Sequence, residues 1–253
     1  MYFSTVSDLK ISVITVCYNA KASIAACIQS VIGQAHANIE YIIIDGASTD
    51  GTLEAIKPFE QHIHTLRSEP DSGIYDAINK GIALATGDII GILNADDVFA
   101  SADILKNIAE AFEINSRVAV YGDLDYVNLN GQVVRRWRSG IYRQGMFNWG
   151  WMPPHPTFYC RRELYQQLGN YSLLYGTAAD YELMLRYIHL QKVPVYYLQK
   201  VMIKMAIGGV SNSTYKNRLS ALLFDLEAMN NNKIFIPLLA ILFKPLRKIK
   251  QFL

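Results

Sequence analysis

Ile89-Ile90-Gly91-Ile92-Leu93-Asn94-Ala95-Asp96-Asp97 is an apolar run, long enough for one buried strand, that stops at two adjacent carboxylates. A strand covered on both faces reads as a near-continuous hydrophobic run, and in open α/β sheets ligands gather beyond the carboxyl ends of such strands. No Lys or Arg stands within five residues of the pair on either side. Two acids without a counter-charge at such a place invite a divalent cation. Ions of the Mg²⁺ type take oxygen from one or two carboxylates and complete their shell with water and substrate phosphates. The competing reading is a cap, because Asp is a favoured N-cap and a helix is expected from about Ser101.

Strand and helix patterns alternate around this run. Residues 11–16 read as a β-branched strand, and 20–32 as a helix with Ile24, Cys27, Ile28 and Val31 on one face. Residues 41–44 form a second buried strand ending in Asp45-Gly46; a short helix over 50–59 stops near Pro58, and 64–67 is a weak third strand. Ile74, Ile78, Ile82 and Ala85 share a helical face, with Gly87 just past its end, and a further helix covers 102–114. Such alternation predicts a mostly parallel, Rossmann-like α/β sheet with helices on both faces. The second half differs. Strands over 118–127 and 132–138 flank Asn128-Leu129-Asn130-Gly131, a hairpin signal because Asn and Gly tolerate positive φ. A helix over 180–190 and a strand over 193–205 follow. One continuous domain is expected over 9–215, with 9–120 binding nucleotide and 121–215 completing the site.

Composition narrows the classes. In 253 residues, 51% are apolar and the net charge is +2, which suits a folded core and argues against a nucleic-acid footprint. Cys17, Cys27 and Cys160 are odd in number and sit in apolar patterns, as packed thiols do in a reducing compartment. The N-terminus lacks a signal-peptide pattern and no apolar run reaches ~20 residues, so a cytoplasmic protein is expected. Charge is uneven, however. No acid follows Glu227, while Lys233, Lys244, Arg247, Lys248 and Lys250 flank an apolar stretch at 234–243. Residues 216–253 therefore read as an amphipathic helical tail that lies on a membrane surface or packs on its own domain.

Polar groups recur where the parallel strands should end. Thr15 and Tyr18-Asn19 follow the first strand, Asp45 the second, and Asp96-Asp97 the apolar run. If these strands are neighbours, Tyr18 offers a ring to stack on a base and Asp45 a carboxylate for a base N–H. Asp76, Asn79 and Lys80 share the helical face opposite the apolar one, which either meets a nucleotide, with Lys80 against phosphate, or is solvated.

Four segments in order now carry a resemblance: Val13-Ile14-Thr15-Val16-Cys17-Tyr18-Asn19, the stretch 43–52 (IIDGASTDGT), the stretch 68–81 (SEPDSGIYDAINKG) and Asn94-Ala95-Asp96-Asp97. Together they resemble glycosyltransferase family 2, in particular its branch in bacterial capsule, exopolysaccharide and O-antigen assembly, over about residues 11–212. The resemblance implies a GT-A fold and inverting transfer of a sugar from a nucleotide-diphosphate donor, a UDP-sugar above all, with Mg²⁺ or Mn²⁺ as cofactor. It places Thr15, Tyr18 and Asp45 around the uridine, Asp96 near the ribose and Asp97 on the metal. Asn94 stands where many members have Asp, and Gly46 replaces the second Asp of the Asp45 segment. Asp180, an N-cap on a purely local reading with Arg186 as surface partner, matches the catalytic base. His155, between Pro154 and Pro156, matches the acceptor side, and Gly209 and Ser211 a loop closing over the donor. The branch further implies a polyprenyl-diphosphate-linked saccharide as acceptor, at the cytoplasmic face of the cell membrane.

Other classes fit less well. A nucleotide-sugar pyrophosphorylase would show a Gly-rich basic loop after the first strand, where Tyr18-Asn19-Ala20-Lys21 stands. A dinucleotide dehydrogenase would show Gly-x-Gly-x-x-Gly there. A non-catalytic saccharide-binding or assembly protein would keep the fold and lose the acids, yet Asp45, Asp96, Asp97 and Asp180 are all present. His62 and His64 have ligand spacing but read as surface.

Overall fold

The computed structural model describes residues 8–114, 118–207, 215–249 and 251–252. Its centre is a mixed sheet. β1 (Ile11–Cys17) pairs in parallel with β2 (Ile39–Asp45) and with β4 (Ile89–Ile92), and β2 in parallel with β3 (Thr65–Ser68). Register aligns Cys17 with Asp45 and Asp45 with Ser68, so three strands end level at one edge. The second half continues the sheet through β5 (Asp97–Phe99), β6 (Ala119–Val127), β7 (Val133–Trp137), β8 (Tyr159–Arg161) and β9 (Val195–Ala206). There most pairings are antiparallel, and the strand order is β3-β2-β1-β4-β8-β6-β9-β5, with β7 on β6.

Strand alternation divides the core into two layers. Ile14 and Val16 of β1, with Ile42 and Ile44, face α3 (Ile74–Leu84), α5 (Arg162–Leu168) and α6 (Ala179–Met184), which runs on as a π-helical turn to Leu190. Ile11, Val13 and Cys17, with Tyr41 and Ile43, face α1 (Ile24–Ile32), α2 (Thr52–Ile56) and α4 (Ile104–Ile114). Gly91 of β4 is required by close approach: a Cβ there would lie 1.8 Å from the ring of Tyr159 on β8. The antiparallel half thus docks ring-first against the parallel half.

Several expected boundaries move. Residues 20–23 form a turn and the first helix begins at Ile24. The helix near 50 ends at Ile56 and tightens into a 3-10 turn, Lys57–His62, that accommodates Pro58 at its start. The hairpin stands as read: Asn128 Oδ1 accepts the N–H groups of Asn130 and Gln132, and Gly131 adopts φ 75°. Unread in the sequence were β5, β8 and α5; the two strands have three residues each, too few to show alternation, and α5 follows directly on β8.

The tail is two helices, α7 (Tyr215–Asn231) and α8 (Pro237–Ile249), and it packs on the domain. Ala228, Met229, Ile234 and Ala240 join the α3 layer of the core. Among the described residues no helix is long and apolar enough to cross a membrane.

Candidate active site

Three strand ends and two later segments build one polar edge. After β1, Tyr18 holds its ring 68% exposed, and Asn19 turns the chain with φ 50°. After β2, Ala47 takes φ 60°. Two non-glycine residues in the left-handed region at adjacent strand ends are a local strain of the kind that collects at binding sites. Asn19 ties the two loops together, its N–H donating to Ser48 Oγ at 2.8 Å and its Oδ1 accepting from Thr49 N at 3.0 Å.

Asp45 is wholly buried. Its Oδ1 accepts from Ser48 Oγ at 2.5 Å and Cys17 Sγ at 3.5 Å, and its Oδ2 from Ser48 N at 3.0 Å and Ser68 Oγ at 2.6 Å. A carboxylate offers about four lone-pair positions. All are engaged by the protein, so Asp45 organises the loop rather than standing free for a base N–H. Beside it, a Cβ on Gly46 would lie 2.5 Å from Asp71 Oδ2 and 3.4 Å from the Tyr18 ring. The carboxylate of Asp71 fills the space that a side chain at 46 would need. Asp71 stands in the loop after β3, with no local signal to mark it, and its proximity to Tyr18 arises from β3 ending level with β2.

The apolar strand ends at Ile92, and Asp97 itself opens β5, paired with Met205 of β9. α4 starts only at Ile104, so neither acid caps it. Asp96 is exposed and Asp97 fully buried. Asn94 Nδ2 donates to Asp97 Oδ2 at 3.2 Å, while Asp97 Oδ1 and Asn94 Oδ1 are buried without a hydrogen-bond partner. Orphaned buried oxygens are rare and costly. Burial first, then the neighbouring charge of Asp96, raises the Asp97 pKa to about 8. A cation would reverse both penalties.

Asp180 lies in the first turn of α6, after the capping position at Ala178. Its Oδ1 accepts from Tyr181 N at 2.7 Å and its Oδ2 faces His155 Nδ1 at 3.1 Å. Burial opposes its ionisation, but the hydrogen bond and charge of His155, the Tyr181 N–H and the charge of Lys244 together hold its pKa below the usual value. For His155 burial likewise opposes charge, and the hydrogen bond to Asp180 with the charges of Asp180, Asp97 and Asp96 raises its pKa. Each residue of the pair therefore favours the charged form of the other, and His155 also feels the Asp96-Asp97 turn. Tyr75 completes this wall: burial, then the charge of Asp180, raises its pKa well above normal.

Some expected residues stand elsewhere. Thr15 is wholly buried on the α1 side of the sheet, with Oγ1 3.1 Å from Tyr41 Oη, because odd-numbered β1 residues face that layer. It does not reach the nucleotide edge. Asn79 gives its amide to the backbone of Tyr171, donating to the carbonyl at 2.8 Å and accepting the N–H at 3.1 Å. Lys80 pairs with Glu69 at 3.1 Å and Asp76 at 3.6 Å and donates to Pro70 O at 2.8 Å, so its charge is already matched. Arg186 serves Glu182 at 2.9 Å rather than Asp180. Gly209 and Ser211 lie outside the described residues.

Among the described residues no three His, Cys, Asp or Glu side chains form a metal cage. A hard cation that draws most of its shell from water and diphosphate needs no such cage. The orphaned oxygens of Asn94 and Asp97, with exposed Asp96 beside them, fit that thin oxygen donor set.

The comparisons with known proteins bear on the family of the chain and on its α/β fold. The description "Glycosyl transferase family 2" fits residues 12–172, and the chain belongs to this family. A PGL/p-HBAD biosynthesis glycosyltransferase of Mycobacterium tuberculosis is 30% identical over 207 residues, covering 80% of this chain and 79% of that protein. An uncharacterized glycosyltransferase of the same species is 31% identical over 177 residues, 70% of this chain and 68% of that one. Among solved structures, S. aureus TarS in complex with UDP-GlcNAc superposes with TM-score 0.67 at 18% identity, over 88% of this chain and 67% of TarS 1-349. A Pyrobaculum calidifontis mannosyltransferase in complex with GDP-Man and Mn²⁺ gives TM-score 0.65 at 18% identity, over 88% and 64%. The chain spans about two thirds of these solved neighbours. It has their fold, GT-A.

Proposed function

We propose that this glycosyltransferase inverts the anomeric centre of a nucleotide-diphosphate sugar, a UDP-sugar above all, as it transfers the sugar to a hydroxyl of a polyprenyl-diphosphate-linked saccharide in bacterial surface polysaccharide assembly. The observation that supports this most is the His155–Asp180 pair within electrostatic reach of Asp96 and Asp97. A deprotonated acid, and at the same edge a turn whose carboxylates would hold a cation against the departing diphosphate, are what in-line displacement at C1 needs on its two sides.

The roles follow from position. Tyr18 stacks on the base, Asp71 and exposed Asp96 line the sugar of the nucleoside, and Asp45 holds the loop between them. Asp97, with Asn94, would hold Mg²⁺ or Mn²⁺, which when bound supplies charge neutralisation for the departing diphosphate. Asp180 takes the acceptor hydroxyl proton. The acceptor oxygen forms its bond to C1 as the C1–oxygen bond to diphosphate breaks, and the electron pair leaves with the nucleotide. His155 keeps Asp180 ionised and fixes its orientation through Oδ2. Because the base lies opposite the leaving group, an α-linked donor gives a β-linked product.

The test is nucleotide release across UDP-, GDP- and dTDP-sugars with a polyprenyl-diphosphate saccharide, for the wild type and Asp180→Asn. The expected result is turnover with one donor class and a loss of ~10²–10⁴-fold in the variant with nucleotide binding unchanged. Wild-type turnover by the variant would refute the base, and no release with any donor would favour a non-catalytic saccharide-binding protein.

A further inference from the structure

α8 has two opposite faces with different business. Its inner face is seated hard on the domain. Ala240 is wholly buried, and a Cβ on Gly150 would lie 2.6 Å from Lys244 N and 2.7 Å from Ala240 O. Phe243 meets Trp149 edge-on at 5.4 Å, and Arg247 Nε donates to Trp149 O at 2.8 Å. Lys244 reaches furthest in, paired with Asp225 at 2.7 Å and 3.5 Å from the ring centroid of Tyr181, the residue after the base.

The outer face is apolar and bare. Leu238, Leu242, Leu246 and Ile249 recur at three- and four-residue intervals, so they lie on one side of the helix, with Phe235 leading into it. These five are between 54% and 85% exposed. Leu219, Leu222 and Leu223 of α7 are also exposed. Single exposed leucines are ordinary, whereas a continuous ridge marks a contact surface.

Charge selects the occupant. α8 has no acid, and the acids of α7 are Asp225, already paired with Lys244, and Glu227. Lys233 and Lys248 are exposed, and Lys248 lies close enough to Arg135 and Lys244 to feel their charge. A second copy would set this cationic end against its like. A surface of anionic lipid would not. Thirteen residues span about 20 Å along the axis, too short to cross hydrocarbon but well suited to lie in its surface.

We propose that α8 is an in-plane anchor for an anionic bilayer: its leucine ridge enters the lipid surface while its inner face, through Lys244 on Tyr181, holds the helix that carries Asp180. The base is thereby presented at the bilayer surface, where a lipid-linked acceptor would arrive; this orientation rests on the acceptor reading above, and the anchoring does not.

Flotation of the full chain with vesicles tests it, using phosphatidylcholine alone and phosphatidylcholine with phosphatidylglycerol. The wild type is expected to float with the anionic vesicles, to be released by salt, and to bind zwitterionic vesicles weakly. Leu238→Glu/Leu242→Glu, both on the exposed face, should lower anionic-vesicle binding by at least about tenfold with an unchanged circular dichroism spectrum. Asp180→Asn should float like the wild type, so loss of transfer and loss of anchoring are read separately. A wild type that stays off anionic vesicles, a double variant that floats equally well, or a ridge-dependent dimer that does not float would each overturn the proposal.

Discussion

Glu40 and Asp97 are both buried carboxylates of the same sheet, at opposite ends, and they are treated in opposite ways. Glu40, near the amino end of β2, is surrounded by donors: Lys10 Nζ at 2.8 Å, Ser12 Oγ at 2.5 Å, and Thr86 N and Oγ1 at 2.7 and 2.6 Å. Burial opposes its charge, but these hydrogen bonds lower its pKa from 4.5 to about 2. Asp97, beyond the carboxyl end of β4, has one oxygen without a partner and a pKa raised to about 8. One end of the sheet stabilises its charge with its own atoms. The other leaves charge uncompensated, as a site for a charged ligand must.

That contrast can be broken most severely at Asp97. Asp97→Asn should lower turnover by ~10²–10⁴-fold, in the range that loss of an electrostatic or acid–base group produces, yet leave the metal-free fold no less stable. Glu40→Gln should do the reverse. A shift from 4.5 to about 2 corresponds to about 3 kcal/mol of stability near neutral pH, while turnover of the folded fraction stays at the wild-type level. Denaturant unfolding with activity measured on the same samples separates the two effects.

The two carboxylates give stability opposite dependences on pH. Glu40 is more acidic folded than unfolded, so its contribution is present above about pH 4.5 and is lost as pH falls toward 2. Asp97 in the metal-free chain is less acidic folded than unfolded. Its contribution is present below about pH 3.8 and is lost as pH rises toward 8. Metal-free unfolding free energy should therefore fall between pH 5 and pH 8 in the wild type, and Asp97→Asn should flatten that slope.

Smaller effects test the positioning of the base. His155→Gln removes the hydrogen bond and charge that hold Asp180 acidic, so the acid limb of the kcat profile should move to higher pH, with kcat at neutral pH down by about tenfold. Lys244→Met should move the same limb in the same direction by less, since its charge acts through space across Tyr181. A loss of kcat with an unmoved acid limb in both would make these residues merely structural.

Much of this was legible in the chain. Buried parallel strands announce themselves as runs such as 41–44 and 89–93, and their ends locate Asp45, Asp96 and Asp97 without a structure. Which face a strand residue takes is not written locally. Thr15 is lost to the α1 layer because of its parity with Ile11 and Val13, and that parity has meaning only once both layers are filled. Helical spacing groups Asp76, Asn79 and Lys80, but the partners of Asn79 and Lys80 are Tyr171, Glu69 and Pro70, across loops that spacing does not describe. The Glu40 cluster draws Lys10 and Ser12 from around the start of β1, Glu40 from β2 and Thr86 from the loop after α3, and nothing in any one of these segments points to the others. The His155–Asp180 contact spans a stretch with no periodicity to place it.

Ligand-induced stabilisation of the wild type, Glu40→Gln and Asp97→Asn shows whether Asp97 is the carboxylate that a metal-bound nucleotide needs. Unfolding would be followed with UDP, GDP or dTDP, each with and without Mn²⁺. One nucleotide together with Mn²⁺ is expected to stabilise the wild type and Glu40→Gln alike, by about 2.7 kcal/mol at a hundredfold excess over Kd, and Asp97→Asn to gain little. An undiminished gain in Asp97→Asn, or a gain lost in Glu40→Gln instead, would contradict this role of Asp97.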